Sequence, residues 1–191
     1  MAALISPSDL PEAIRGRSDC NRLIVTVSDL AEDFCKRSFA REVGRVETHD
    51  GGDTHELWLR LTPVVSIASI TVDGRAITDF IFNAGNGRVT RGDGRVHPYF
   101  ATWNPAGADN IVVTYTGGYD RIPESIKEAV VQGVVNFVRE KERDPAMQSE
   151  SFGRDYSYTM AAGVPAKYRI FGETGVAILR RYRRSGRHTI G

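Results

Sequence analysis

Five side chains able to bind a cation or move a proton fall within eight positions: His49, Asp50, Asp53, His55 and Glu56. Imidazole and carboxylate groups so placed could hold a divalent metal or act as general acids and bases. Their spacing matches no zinc signature, and they flank Gly51-Gly52, a pair that predicts a hairpin tip. Polar side chains at a tip need only water, so the reading taken is a solvated turn with no metal. The other histidines, His97 and His188, stand apart from this group.

Nucleophilic catalysis requires a Ser, Cys or Lys with a partnered base, and no G-x-S-x-G elbow or comparable signature is present. GNGRVTRG lacks the third glycine of a dinucleotide fingerprint and falls between predicted strands, so it is a turn. The RGD at 91–93 sits in a Gly-rich stretch and is given no role. The expectation is a protein without catalytic residues, cofactor or metal, hence not an enzyme.

A more informative feature is RRYRR at 180–184. It can attract nucleic acid or an acidic protein surface through charge alone. It can equally be the solvated end of a helix whose cations offset the C-terminal dipole. No helix-turn-helix or zinc-finger pattern accompanies it, which argues against base-specific reading. From Val164 to Gly191 the net charge is +6; with +1 for the whole chain, the first 163 residues carry −5. The stretch 146–163 is poor in aliphatic residues, and Tyr156, Tyr158 and Met160 alternate with Ser157 and Thr159. It reads either as a linker or as an extended arm that pairs with a neighbouring subunit's sheet edge, and its aromatics favour the arm.

The elements that must position these groups are helices around an antiparallel β region, an α+β fold. A short helix is predicted over 8–15, with Ser8 as N-cap and Pro11 in its first turn. Leu23, Val27, Leu30 and Phe34 recur on one face of a helix predicted from Cys20 to Ser38. Strands and turns follow over 42–117. There REVGRVETHD and ELWLRL predict a hairpin about the Gly51-Gly52 turn, and Asp73-Gly74 predicts a tight hairpin turn.

VTYTGGYDRIPESIKEA then carries the chain from strand to helix. Gly117 and Gly118 are free to take backbone angles closed to other residues, and Pro123 suits the first turn of a helix. These three residues are expected to form a structural corner that fixes a sheet against a helix. Ile126, Ala129, Val130, Gly133, Val134, Phe137 and Val138 give the strongest periodicity in the chain, a helix over 123–143 ending before Asp144-Pro145. A last helix is expected near Glu173–Arg184, with Val176, Leu179 and Tyr182 on one side. This organisation gives a core domain over 1–144 and an extended arm with a basic helix over 145–191.

At 191 residues, 41% hydrophobic and 26% charged, the chain is long enough to bury one ordinary core. No apolar run approaches the roughly 18–20 residues that span a bilayer, and the first residues lack a signal-peptide pattern, so no membrane role and a cytoplasm-like compartment are expected. Cys20 and Cys35, about 22 Å apart along one helix, are expected as reduced thiols rather than a bridge.

The order of these elements resembles the head–tail adaptor (connector, head-completion) family of long-tailed phages and related gene transfer particles. LWLRLTPVVSIASITVDG, VVTYTGGYDRIPESIKEAVVQGVVNFVREK, the SESFGRDYSYT arm and LRRYRR carry the resemblance, over about residues 5 to 185. It implies a structural virion protein of the neck, made in the host cytoplasm. About twelve copies would form a homo-oligomeric ring under the portal protein. That ring would extend the DNA channel, pass DNA without base recognition, and present a surface to the next neck component, a stopper or tail-terminator. By the same resemblance Tyr156, Tyr158, Met160, Ile178, Leu179, Arg180, Arg181, Tyr182, Arg183 and Arg184 are portal- or neighbour-binding. The alternatives are a tail-completion or other neck protein on the tail side, or a basic-tailed nucleic-acid-binding module.

Overall fold

A computed structural model describes residues 3–92, 102–142 and 165–184. The fold is α+β, with helices at both ends of the chain and antiparallel strands between them. It divides into two compact units: a helical one from residues up to Lys36 together with Ile122–Arg184, and a β one from Arg37–Arg121.

The helical unit contains α1 (Glu12–Arg15), α2 (Cys20–Cys35), α3 (Glu124–Glu142) and α4 (Gly172–Tyr182). α2 follows its apolar spacing, burying Leu23, Val27 and Phe34. It stops at Cys35 because Lys36 takes a left-handed conformation, φ 53°, and closes the helix three residues before the expected end. α3 buries Ile126, Ala129, Val130, Gly133, Val134 and Val138, the predicted stripe, while Phe137 stays half-buried. Gly133 lets the helices approach closely: a Cβ there would lie 2.8 Å from Val27 Cγ1 and 2.9 Å from the Phe171 ring.

Two expectations in this unit need correction. The helix predicted over 8–15 is a 3-10 turn, Pro7–Asp9, followed by the four-residue α1. Its cap is Ser6, whose N–H and Oγ both donate to Asp9 Oδ2, at 2.7 and 2.8 Å. Leu10, before Pro11, is extended at φ −94°, ψ 152°, as the proline ring requires, and this splits the segment. Ala166–Phe171, given no element between the 146–163 segment and the last helix, is a 3-10 helix that buries Tyr168, Ile170 and Phe171.

Among the described residues the β unit holds seven strands: β1 (Glu42–Gly52), β2 (Glu56–Trp58), β3 (Val64–Val72), β4 (Arg75–Ile77), β5 (Phe80–Phe82), β6 (Arg88–Arg91) and β7 (Trp103–Gly117). One antiparallel sheet has the order β1-β7-β3-β4 and the other β2-β6-β5. Leu57, Leu59, Leu61, Val64, Ile70, Val72, Val89, Trp103, Ile111, Val113 and Tyr115 make one buried cluster drawn from both sheets. The β3–β4 turn has the predicted chemistry, with Asp73 at φ 48° and Gly74 at φ 75°.

The hairpin expected between REVGRVETHD and ELWLRL does not form. β1 continues through Gly51-Gly52 and pairs with β7, whereas β2 joins the other sheet beside β6. Gly51 answers a close approach rather than a turn: a Cβ on it would meet Pro105 O at 2.4 Å, whereas one on Gly52 would meet nothing within 4 Å. The register shifts on both sides of Gly51 admit β7's longer opposing segment.

Candidate assembly surfaces

His49, Asp50, Asp53, His55 and Glu56 lie along and just after β1, not at a tip. What β1 does assemble is a network that sequence reasoning missed, centred on the buried carboxylate of Glu47. Tyr115 Oη donates to Glu47 Oε1 at 2.6 Å, Arg45 Nε to the same oxygen at 2.8 Å, and the Arg60 N–H to Oε2 at 2.9 Å. His49 Nε2 stands 3.6 Å from Oε2, too far for a hydrogen bond, and contributes as a neighbour only. Burial pushes the Glu47 carboxyl up, but His49, Tyr115, Arg60 and Arg45 together outweigh it and bring it to about 2. The Tyr115 phenol is pushed up, first by burial and then by the adjacent carboxylate.

Such a grouping of Glu, Tyr, Arg and His resembles an acid–base site, but the Tyr115, Arg45 and Arg60 donors are already committed and His49 Nε2 makes no hydrogen bond. Tyr115 Oη also accepts the Leu61 N–H at 2.9 Å. The cluster therefore ties β1 and β7 to the segment between β2 and β3. Arg45, Glu47 and His49 alternate on one face of the strand, a face without apolar residues. That pattern predicts solvent exposure and conceals the burial.

The other face of the four-stranded sheet looks different. Cross-strand rows run Val46–Thr114–Ser69, Thr48–Val112–Thr71–Ala76 and Thr116–Ser66, and none of these side chains is charged. Val46 is 59% exposed, whereas Ile111, Val113 and Tyr115 on the opposite face are fully buried.

Gly117 and Gly118 belong to the β unit. Gly118 has φ +90°, and a Cβ on it would meet Ala40 O at 2.3 Å; one on Gly117 would meet Leu61 O at 2.6 Å. Their neighbours fasten the crossing: Gly118 N–H donates to Pro63 O at 2.9 Å and Tyr119 N–H to Phe39 O at 2.8 Å. Pro123 belongs to the helical unit and precedes α3. Its carbonyl accepts the Ile126 and Lys127 N–H groups at 2.9 and 3.2 Å, which is the role of a cap rather than of the first helical residue.

The basic residues gather at the end of α4. Leu179 is fully buried and Ile178 half-buried, while Arg180, Arg181 and Arg183 are exposed. Tyr182 Oη and Ser125 Oγ are 3.0 Å apart. The Arg183 guanidinium lies 5.5 Å from the centre of the Phe34 ring, and the Arg184 N–H donates to Cys35 O at 2.9 Å. Cys35 is a buried thiol whose Sγ donates to Leu179 O at 3.4 Å, and Cys20 is likewise buried and in no disulfide. The C-terminal ends of α2 and α4 thus meet under a cap of cations. Nearby, Asp33 takes bonds from Lys167 Nζ at 2.6 Å and Tyr168 Oη at 2.9 Å, and these hold its carboxyl below the usual range. Tyr156, Tyr158 and Met160 lie outside the described residues.

A family model described as HCP, head completion protein, matches residues 13–185. The chain belongs to the head completion protein family. Two solved structures share the fold of this family member. One is the neck of a native GTA particle computed with C12 symmetry, at TM-score 0.52 and 12% identity, covering 97% of this chain and 93% of the other. The second is the virion of a native gene transfer agent particle, at TM-score 0.53 and 12% identity, covering 94% and 87%. Comparison with curated proteins returns no match. Among the described residues no helix is long and apolar enough to cross a membrane.

Proposed function

We propose that this chain is a structural component of a virion neck that completes the head, forming a ring under the portal and joining the head to the next neck or tail component. The match of the head completion family over nearly the whole chain carries the reading. The neck and virion structures of the same fold support it, the neck having been computed with C12 symmetry. About twelve copies, related by a heterologous contact, would close such a ring.

The contact with the portal falls to the exposed cations of α4. Arg180, Arg181 and Arg183 face outward, whereas Leu179 packs inward and anchors the helix that displays them. DNA passing through the ring meets phosphate-directed charge without base readout. The buried carboxylate cluster is spent on tying strands together, which fits a protein that works by holding shape.

Particles assembled without this chain are the test. The expected outcome is unjoined heads and tails with loss of packaged DNA; heads that still join tails and keep their genome overturn the proposal. Electron cryomicroscopy of joined particles locates the ring, and density on the tail side of the stopper would favour a tail-completion role instead. A double reversal, Arg180→Glu with Arg181→Glu, is expected to leave the fold intact and lower the yield of joined particles at least tenfold.

A further inference from the structure

Charged residues make up 26% of the chain, yet the rows Val46–Thr114–Ser69 and Thr48–Val112–Thr71 contain none; the Asp109 carboxylate reaches their end, accepting from Thr48 Oγ1 at 2.9 Å. A solvated surface ordinarily carries charge at about a quarter to a third of its positions. Val43 and Val46, at 79% and 59%, are the most exposed large hydrophobic residues among those described, and both lie on β1. β1 is an edge strand: β7 pairs one side of it, and among the described residues no strand of that sheet pairs the other. Its free flank presents unpaired backbone donors and acceptors. Bulges at Glu42/Arg45 and His49/Gly51 bound a regular run, Arg45–His49, in which a short added strand would find unbroken pairing.

The chain itself contains a segment of matching chemistry. Tyr156–Val164 carries no charge and alternates Tyr156, Tyr158 and Met160 with Ser157 and Thr159. The other stretches outside the described residues differ, with Asp93 and Arg95 in one and Arg187 in another. We infer that the free edge of β1 takes Tyr156–Met160 of a second copy of this chain. The added segment sets its aromatic side beside Val46 and its Ser157 and Thr159 beside Arg45 and Glu47. Donor and acceptor are different surfaces, so each copy gives to one neighbour and receives from the other, the arrangement a closed ring needs. This rests on the ring reading above and names one of its contacts.

The test uses particles assembled from equal amounts of two single variants, Val46→Cys and Tyr158→Cys. The native thiols, Cys20 and Cys35, are buried in the helical unit. Mild oxidation of joined particles is expected to give a cross-linked pair at twice the chain mass, absent when either variant is used alone. Joined particles that yield no such pair refute the strand addition and leave the ring reading standing. A double variant that cross-links only within one chain refutes the assignment to a second copy. Necks holding a single copy refute the ring reading and this contact with it. An independent variant, Val46→Arg, alters only an exposed side chain and is expected to reduce joined particles at least tenfold; wild-type joining by this variant overturns the inference.

Discussion

Tyr115 Oη donates to Glu47 Oε1 at 2.6 Å while accepting the Leu61 N–H at 2.9 Å, so one phenol binds a strand and a loop through opposite roles. Replacing Tyr115 with Phe keeps the ring but leaves a buried N–H and a carboxylate oxygen each short of a partner. A loss of about 2–3 kcal/mol is expected from denaturant unfolding. A loss below about 0.5 kcal/mol would mean the network does not hold the sheet.

Stability at acid pH follows from the same carboxylate. Its folded value, about 2, lies below the ordinary 4.5, so the unfolded chain binds the proton more readily and folding is favoured above pH 4.5. That contribution, at most about 3 kcal/mol, fades as pH falls from about 5 toward 2. Asp9, Asp19 and Asp33 are depressed too and act in the same direction, but they are exposed and screened. Glu47→Gln is expected to be less stable at neutral pH and to show a shallower decline between pH 5 and 2. Parallel curves for the two proteins would remove Glu47 as the source.

Gly118 and Gly74 separate close approach from backbone conformation. Both have positive φ, but a Cβ on Gly74 meets nothing within 4 Å, whereas one on Gly118 meets Ala40 O at 2.3 Å. Gly74→Ala is expected to cost about 1 kcal/mol, the penalty of a left-handed residue. Gly118→Ala is expected to exceed it by at least about 2 kcal/mol, because backbone has to move. Equal melting temperatures for the two variants would contradict the crossing described.

Gly133→Ala adds a good helix former to α3, worth about 1 kcal/mol by propensity. The new methyl presses on Val27 and Phe171, and overpacking of this kind costs about 1–3 kcal/mol. A net loss of about 1 kcal/mol is expected by thermal unfolding. A gain in melting temperature would show that the helices give way easily.

The parts legible in the sequence are those decided locally. The stripe of α3 and the Asp73-Gly74 turn each depend on residues within a few positions of one another, and both appear as expected. Gly51-Gly52 misled because a glycine pair has two physical uses. Here Gly51 admits Pro105 from a strand more than fifty residues away, a requirement the local pattern does not contain. Glu47 escaped notice for a related reason: its burial depends on Tyr115 and Arg60 arriving from elsewhere. Of the candidate surfaces, the basic cluster on α4 was visible as a run of arginines. The inward turn of Leu179 followed from its spacing with Val176. The uncharged sheet face was not visible, because its members come from four strands and meet only through register.

Asp33 is fastened to Lys167, 134 positions later, and Cys35 Sγ reaches Leu179 O across 144. A ribosome must therefore release almost all of this polypeptide before the first long helix finds its final neighbours. Premature termination before Lys167 would leave that helix without these partners and the arginines of α4 unmade. The order of synthesis thereby keeps an unfinished chain from completing its helical unit.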